Sequence, residues 1–308
     1  MPDLIIGGSG FVGRNLARSL ASTGREVVVL DRFPDATGSF AGECVIGDAQ
    51  DADLVSEVIG RVAPHTVYHL AANSDISAGV ADASLDFGDT LMTTLALRAA
   101  LERQDIARLV FASSSAIFGV SDQPLGETSD QFPAPVSWYG KAKLASEYAL
   151  ESLSLVAPEL PILIVRFPNV VGPLATHGVV FDFVRKLLAD PSRLDVLGDG
   201  NQTKPYVHVA ELIDGIDYFA DRLVPGITRV NLGPMDLVDV KGIVQEVSEA
   251  LAVVPEVTYQ DSPFGWPGDV PRYAFDTSLM RREGFAIDTT SRQAVRRAAE
   301  DLARELTA

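Results

Sequence analysis

Residues 4–20 have the sequence LIIGGSGFVGRNLARSL. An apolar, β-branched run is followed by Gly7, Gly10 and Gly13, with Phe11 and Val12 opening a helix pattern. Between a strand and a helix, the first glycine allows a tight turn and the second lets a pyrophosphate approach the backbone. The third lets the helix pack on the sheet. We therefore predict a dinucleotide site at a helix N-terminus, where partial positive charge favours phosphate.

Short apolar runs alternate with helix patterns as far as residue 166. We expect strands at 4–6, 27–30, 44–46, 66–71, 109–113 and 161–166, and helices at 11–23, 52–60, 91–103 and 139–155. Repeated β-α-β units predict an α/β fold, a doubly wound parallel Rossmann sheet with right-handed crossovers.

The pattern loosens beyond residue 166. Short strands are expected within 194–209 and at 228–232, and helices at 181–189, 211–220, 238–251 and 291–306. We predict a dinucleotide-binding domain at 1–168, with a return segment near 205–232. A smaller C-terminal α+β substrate-binding region is predicted from 169–204 and 233–308, over the sheet edge where open α/β sheets bind ligands.

Composition and charge limit the function classes. The 308 residues are 47% hydrophobic, as in ordinary globular proteins, and 25 basic against 42 acidic residues give a net charge of 25 − 42 = −17. This charge disfavours nucleic acid and anionic membranes as partners. The single cysteine, Cys44, excludes an internal disulfide and a cysteine-pair zinc site. With no signal-peptide pattern, a cytoplasmic protein without a metal is expected.

Asp31 ends the second predicted strand, 18 residues after Gly13. A carboxylate there can accept hydrogen bonds from an adenosine ribose and would repel a 2′-phosphate, which favours NAD over NADP. The adjacent Arg32 leaves NADP open, and Asp31 could instead cap the following turn. Asp48, after the third strand, could reach the adenine edge or serve as a turn or N-cap residue.

Tyr139 and Lys143 lie at positions i and i+4 of a predicted helix, so both side chains share one face. A free tyrosine titrates near ~10 and is a poor base at neutral pH. A nearby ammonium and an oxidised nicotinamide would both favour the phenolate. The spacing alone occurs by chance in many helices, but its place after a dinucleotide motif favours a catalytic pair.

Seven segments together resemble the extended short-chain dehydrogenase/reductase family, and in particular its NAD-dependent sugar-nucleotide epimerases and dehydratases of the UDP-galactose 4-epimerase type. They are GGSGFVG (7–13), GDAQD (47–51), HLAA (69–72), SSSAIFG (113–119), YGKAK (139–143), RFPNVVGP (166–173) and GDGNQTKPYVHV (198–209). Each segment is unspecific alone, whereas the set spans nearly the whole chain.

The resemblance implies roles by position. Tyr139 would be the base, Lys143 would bind the nicotinamide ribose, and Ser114 would hydrogen-bond the reacting sugar hydroxyl, with Ser115 the neighbouring candidate. Further cofactor contacts would be Ala49, Leu70, Ala71, Ala72 and Phe167. The diphosphate sugar, expected to be a UDP-sugar, would meet Asn169, His177, Val179, Phe181 and Lys204. Arg272 or Arg185 could supply a further cation for the diphosphate.

Four positions depart from the family pattern. Thr90 stands where many relatives carry an Asn, and Phe118 where a Tyr is common. Lys204 stands where the family uses a phosphate-binding Arg, and Trp266 where a second such Arg is typical. These departures leave the catalytic residues in place, but they weaken the expectation that the substrate is a nucleotide sugar. On loop statistics alone, His177 is more often solvated than a ligand contact, and we assign His65, His69 and His208 to structure.

The implied reaction is 4-epimerisation of a nucleoside-diphosphate sugar through a 4-keto intermediate. The alternatives are a sugar-nucleotide 4,6-dehydratase or decarboxylase, a net reductase or dehydrogenase of a small alcohol, and a cofactor sensor without catalysis. Relatives that dehydrate carry an acid directly after the position of Ser114, where this chain has Ser115 and Ala116. An acid could still arrive on a loop, for example Asp75 or Glu127.

The resemblance also implies a homodimer. Relatives often pair the helices expected near 91–103 and 139–155 into a four-helix bundle, and Leu91, Leu95, Leu144 and Tyr148 could supply its apolar contacts. The alternative is that these residues pack on the sheet of their own chain.

Overall fold

The protein is described by a computed structural model covering residues 1–35, 37–38, 40–121, 123–127, 134–265, 270 and 272–307. The strands are β1 Asp3–Ile6, β2 Val27–Asp31, β3 Glu43–Ile46, β4 Thr66–His69, β5 Arg108–Ala112, β6 Pro124–Leu125, β7 Pro161–Arg166, β8 Asn169–Val171, β9 Arg193–Val196, β10 Thr203–Lys204, β11 Tyr206–His208, β12 Gly226–Asn231, β13 Val238–Asp239, β14 Glu256–Tyr259 and β15 Ala274–Phe275.

The helices follow the strands in alternation over most of the chain. They are α1 Phe11–Ser22, α2 Ala52–Val62, α3 Ile76–Ala81, α4 Ala83–Asp86, α5 Thr93–Leu101, α6 Trp138–Glu151, α7 Val179–Ala189, α8 Val209–Ala220, α9 Val240–Ala250, α10 Ser278–Arg282 and α11 Ser291–Thr307. A π-helix spans Phe87–Met92, and 3₁₀ turns span Ser115–Ile117 and Ser152–Leu155.

The central sheet has seven strands in the order β12-β7-β5-β4-β1-β2-β3. The five neighbouring pairs from β3 to β7 are parallel. Every residue of β1 and β4 is buried, and so are all but one residue of β2 and of β7. Strands buried on both faces have continuous apolar sequences, as these do. The order reverses beside β1, as in doubly wound folds, so the predicted fold class is confirmed.

Two compact units make up the chain. The first comprises Met1–Ile117, Ser137–Arg166 and Ile213–Val230; the second comprises Phe118–Val136, Phe167–Leu212 and Asn231–Ala308. Each has its own apolar core: that of the first lies on the sheet around Leu4, Leu109 and Ile164, and that of the second joins α7, α9 and α11 around Val184 and Val295. The assignment of one region to cofactor and the other to substrate remains a prediction.

Several elements differ from the sequence expectation. The helix expected near 91–103 is preceded by α3, α4 and the π-helix, none of which was predicted. The helix expected at 139–155 is α6 followed by a 3₁₀ turn. In the second unit, the two-residue strands β6, β13 and β15 were also missed, because such short pairings leave no periodicity in the sequence. The two-residue strand β10 lies within the range 194–209, where short strands were expected.

Candidate active site

The glycine turn after β1 is packed on two sides and open on a third. Gly7 has φ +85°, and a Cβ there would lie 2.5 Å from the Ala71 nitrogen. A Cβ on Gly13 would lie 2.5 Å from the Gly7 carbonyl oxygen, so both positions exclude a side chain. At Gly10 a Cβ would meet only that same oxygen, at 3.5 Å. The turn therefore has the shape that a pyrophosphate needs for close approach to the backbone.

The N-terminus of α1 faces this opening. Gly10 is the N-cap residue and has no side chain to satisfy the first backbone N–H groups. An anion at this end would gain hydrogen bonds and the favourable field of the helix dipole. The residues present thus fit the phosphates of a dinucleotide.

The Asp31 carboxylate bridges the glycine turn and the loop after β2. Its Oδ2 accepts a hydrogen bond from the Ser9 backbone nitrogen at 2.9 Å, and Oδ1 accepts one from the Phe33 nitrogen at 3.1 Å. Asp31 is thus a turn cap. A carboxylate has about four acceptor positions, so this role leaves room for ribose hydroxyls.

Arg32 forms an ion pair with Asp89 of the π-helix. The Arg32 Nη2 lies 2.7 Å from the Asp89 Oδ2, and this hydrogen bond raises the pKa of Arg32. An arginine paired in this way is less available to a 2′-phosphate, which supports the preference for NAD.

The other predicted cofactor residues of the first unit lie beside the turn or near it. The Leu70 and Ala71 nitrogens both donate to the Ile6 carbonyl, at 2.8 and 3.0 Å, so this segment runs alongside the glycine turn. Asp48 is exposed and caps a turn by accepting from the Gln50 nitrogen at 2.9 Å. Three of the remaining residues are half-buried, namely Phe11, Val12 and Ala72, and Ala49 is buried. Phe167 belongs to the second unit.

The first turn of α6 brings Tyr139 to Ser114. Ser137 caps this helix by accepting a hydrogen bond from the Gly140 nitrogen at 3.0 Å, which sets Tyr139 in the first turn. The Tyr139 and Ser114 hydroxyls are hydrogen-bonded, and the Ser114 Oγ also accepts from the Ala116 nitrogen at 3.1 Å. The two predicted catalytic residues are therefore adjacent, although they are 25 positions apart.

Lys143 lies one helical turn below Tyr139 and is 1% exposed. Its Nζ donates to the Ala112 carbonyl at 2.6 Å and lies 5.9 Å from the centre of the Tyr139 ring. Burial lowers the pKa of Lys143 to about 7, while the Glu147 carboxylate opposes this shift. An ammonium at this place would stabilise a Tyr139 phenolate.

Burial raises the pKa of Tyr139 to about 12, the Ser114 hydrogen bond lowers it, and the charge of Asp86 raises it further. Asp86 was not among the predicted site residues. Its side chain is 1% exposed, and its Oδ1 accepts from the Asn73 Nδ2 at 2.9 Å, while Oδ2 has no hydrogen-bond partner among the described residues. Its burial depends on packing against Gly79, which a sequence does not reveal.

The π-helix that follows Asp86 packs against α6. Thr90, which replaces the expected Asn, is fully buried there, and its Oγ1 accepts a hydrogen bond from the Asn73 nitrogen at 3.2 Å. The Phe87 and Trp138 rings are 5.8 Å apart. π-Helical turns are frequent at functional sites, and this one carries Asp89 as well.

In the second unit, Asn169, Lys204 and Arg272 come together. The Asn169 Nδ2 donates to the Pro205 carbonyl at 3.3 Å and to the Tyr273 hydroxyl at 3.4 Å. Thr203 and Arg272 form a β-bridge, so the backbones of Lys204 and Arg272 lie close together. One amide residue and two basic residues thus lie on neighbouring stretches of backbone.

The remaining predicted substrate residues are more dispersed. His177 is exposed, and its Nδ1 lies 3.1 Å from the Thr176 Oγ1. Val179 and Phe181 begin α7 and pack partly on the core of the second unit. Ser115 is buried in a 3₁₀ turn, and Phe118 packs edge-on against Phe275. Trp266 lies outside the described residues.

Two other site classes receive no support within the described ranges. Residues 1–35, 37–38, 40–121, 123–127, 134–265, 270 and 272–307 contain no group of three or more His, Cys, Asp or Glu side chains able to hold a metal ion. None of the helices in these same ranges combines the length and the apolar character needed to cross a bilayer.

Known proteins share this arrangement of sequence and fold. The sequence profile of the NAD-dependent epimerase/dehydratase family matches residues 4–233. UDP-glucose 4-epimerase of Yersinia pestis is 26% identical over 316 aligned residues, covering 92% of each chain. UDP-N-acetyl-alpha-D-glucosaminuronate decarboxylase of Bacillus cytotoxicus is 28% identical over 268 residues, covering 80% of this chain and 79% of that protein.

A solved structure extends the match to the whole fold. The crystal structure of Thermus thermophilus UDP-glucose 4-epimerase in complex with NAD has 26% identity and a TM-score of 0.87, covering 98% of this chain and 99% of that one. The resemblance expected from the seven segments is confirmed. The chain belongs to the NAD-dependent epimerase/dehydratase family of enzymes, with NAD as the family's cofactor.

Proposed function

We propose that this protein is a 4-epimerase of a nucleoside-diphosphate sugar, most simply a UDP-sugar. The observation that carries the proposal is the arrangement of Ser114, Tyr139 and Lys143, in which a hydrogen-bonded tyrosine lies above a buried lysine. Nucleotide sugars are the substrates named for the epimerases and the decarboxylase that this chain resembles.

NAD held at the glycine turn would supply a hydride acceptor for the sugar and would return the hydride within one turnover. Tyr139 takes the proton of the 4-hydroxyl, and Ser114 orients that hydroxyl through its own hydroxyl group. Lys143 holds a positive charge beside the phenolate. The 4-keto sugar then turns in the site, and Tyr139 gives the proton back to the oxygen after hydride return on the other face.

The surroundings of Ser114 support epimerisation over dehydration. Eliminating water needs an acid near C6, and the next two residues are a serine and an alanine, neither of which protonates a leaving hydroxide. Asp75 caps α3, accepting from the Ala78 nitrogen at 3.0 Å. Glu127 accepts from the Asn231 nitrogen at 2.8 Å in the second unit. Both candidate acids thus have structural partners.

The second unit would bind the diphosphate through Asn169, Lys204 and Arg272. Lysine acts on phosphate as a point charge, without the two-pronged contact of an arginine. We expect Lys204 to provide attraction and Arg272 to provide orientation. This division fits a chain that has Trp266 where a second arginine is typical.

The test is to incubate the purified protein and NAD with a panel of UDP-, dTDP- and GDP-sugars and to identify products by NMR. The proposal expects one pair of 4-epimers to interconvert. A dehydrated or decarboxylated product would establish the alternative family reaction. Stoichiometric NADH formation would establish a net dehydrogenase, and tight NAD binding with no turnover on any sugar would favour a sensor.

We also propose that the active form is a homodimer. Leu95 on α5 is 37% exposed and Tyr148 on α6 is 59% exposed, so neither packs fully on its own sheet, whereas Leu91 and Leu144 are half-buried. Sedimentation of the wild type should give twice the monomer mass, and L95E/Y148E should sediment as a folded monomer. A monomeric wild type would contradict this.

A further inference from the structure

We propose that Glu147 is a positioning residue of the active site: its carboxylate, fixed by Arg166 and Ser113, keeps Lys143 protonated beside Tyr139. The proposal rests on the role of Lys143 in the proposed function. It adds a residue that does not touch the substrate or the cofactor and acts through the lysine.

Glu147 shares one face of α6 with the catalytic pair. Positions 139, 143 and 147 are spaced by four, so the three side chains follow one another along that face. Glu147 is 1% exposed, and its negative charge acts on the Lys143 ammonium one helical turn away. An opposite charge about one turn away favours the charged form of a buried lysine.

The Glu147 carboxylate is held from two strand ends. Arg166 at the end of β7 donates from Nε to Oε1 at 3.0 Å and from Nη2 to Oε2 at 2.7 Å. Ser113, directly after β5, donates from its Oγ to Oε1. A two-pronged arginine contact fixes both the position and the orientation of the carboxylate, so its negative charge is held in one place on α6.

Other charged and titratable groups around Lys143 do not replace Glu147. His69 on β4 is fully buried, and burial together with the charge of Lys143 lowers its pKa to about 3, so it stays neutral. Arg166 and Arg229 carry positive charge and contact the Glu147 carboxylate, with the Arg229 Nε 3.9 Å from Oε2. Asp86 acts on Tyr139. Burial lowers the pKa of Lys143, and Glu147 is the charge that raises it.

A purely structural ion pair would have a different consequence. Linking α6 to the ends of β5 and β7 would stabilise the fold without altering the titration of Lys143. Removal of the Glu147 charge should instead lower the pKa of Lys143. Since lysine is charged below its pKa, the ammonium would then be lost at lower pH, and the alkaline limb of the activity profile would move down in pH.

The chain suits a direct measurement because it has five lysines, at positions 141, 143, 186, 204 and 241. NAD-loaded protein labelled with ¹³C at lysine Cε would be titrated by NMR without substrate, and the Lys143 signal assigned from its absence in K143M. We expect E147Q to lower the Lys143 midpoint by about one pH unit or more, as loss of a nearby opposite charge does. An unchanged midpoint in folded E147Q would overturn the proposal.

The matched control is E151Q. Glu151 lies one turn further along α6, pairs with Arg229 and is partly exposed, so its loss should leave the Lys143 midpoint in place. If E147Q does not fold because Arg166 is left unpaired, E147Q/R166Q removes both buried charges. The Lys143 midpoint of this double variant should still fall, since Glu147 and not Arg166 is the charge that acts on Lys143. A wild-type midpoint in the double variant would refute the proposal.

This experiment separates the inference from the proposed function. The titration contains no sugar, so it reports on Glu147 whatever the substrate is. A failed epimerase assay with a shifted Lys143 midpoint would leave Glu147 as the counter-charge of a lysine with another task. The reverse result would keep the epimerase and reduce Glu147 to a structural role.

Discussion

The hydroxyl of Tyr139 is hydrogen-bonded to the hydroxyl of Ser114. Tyr139 lies in the first turn of α6 and Ser114 follows β5, so two elements of the first unit meet at this bond. This hydrogen bond lowers the pKa of Tyr139 and so favours the phenolate, whereas burial raises the pKa and favours the neutral phenol. A substrate hydroxyl placed between the two groups would give up its proton to the tyrosine.

Replacement of Tyr139 by Phe should lower kcat by ~10²-fold or more, because general acid–base transfer contributes at least that much. NAD affinity, measured by fluorescence titration, should be nearly unchanged. The control is Y259F, which alters a half-buried tyrosine of β14 and should keep full activity. Wild-type kcat in Y139F would show that another group is the base.

Replacement of Asp86 by Asn should shift the pH dependence of kcat/KM. The Asp86 charge raises the pKa of Tyr139, so its loss lowers that pKa. A tyrosine base is active when deprotonated, and the limb that rises with pH should therefore move to lower pH. D82N, which alters an exposed helix cap four residues earlier, should not move it. An unmoved limb in folded D86N would remove Asp86 from the site's electrostatics.

Cofactor preference tests the roles of Asp31 and Asp89. The wild type should bind NAD more tightly than NADP. D31A should reduce the ratio of the two dissociation constants by about tenfold, which is the effect of losing one hydrogen bond to a charged group. D89A should improve NADP binding, because it releases Arg32. Titration of both cofactors measures this, and a wild type that prefers NADP would reverse the assignment.

Loss of Lys204 should weaken substrate binding more than catalysis. K204A is expected to raise KM for the nucleotide sugar by about tenfold, with kcat nearly constant, since a charge-assisted phosphate contact is lost. K241A is the matched control, because that lysine is engaged with the Asn201 side chain at 2.8 Å. If K204A leaves KM unchanged, the substrate is not held by a diphosphate at this position.

The sequence predicted those features that depend on residues close together in the chain. The buried strands, the glycine turn and the Tyr139–Lys143 pair follow from apolar runs, absent side chains and helical spacing. Asp86 could not be predicted, because its burial depends on Asn73 and Gly79 in a separate helix and loop. The approach of Lys204 and Arg272 depends on a bridge between residues 69 positions apart. Glu147 did leave a signal, namely its i+8 spacing from Tyr139.

The central claim is a hydride taken from C4 and returned there, with no other carbon involved. It is tested most directly by running the reaction in deuterated water with the sugar nucleotide that the panel identifies, and locating deuterium by NMR. We predict two interconverting 4-epimers with no solvent deuterium on carbon. Deuterium fixed at C5 or C6, or a 4-keto-6-deoxy or decarboxylated product, would contradict the account.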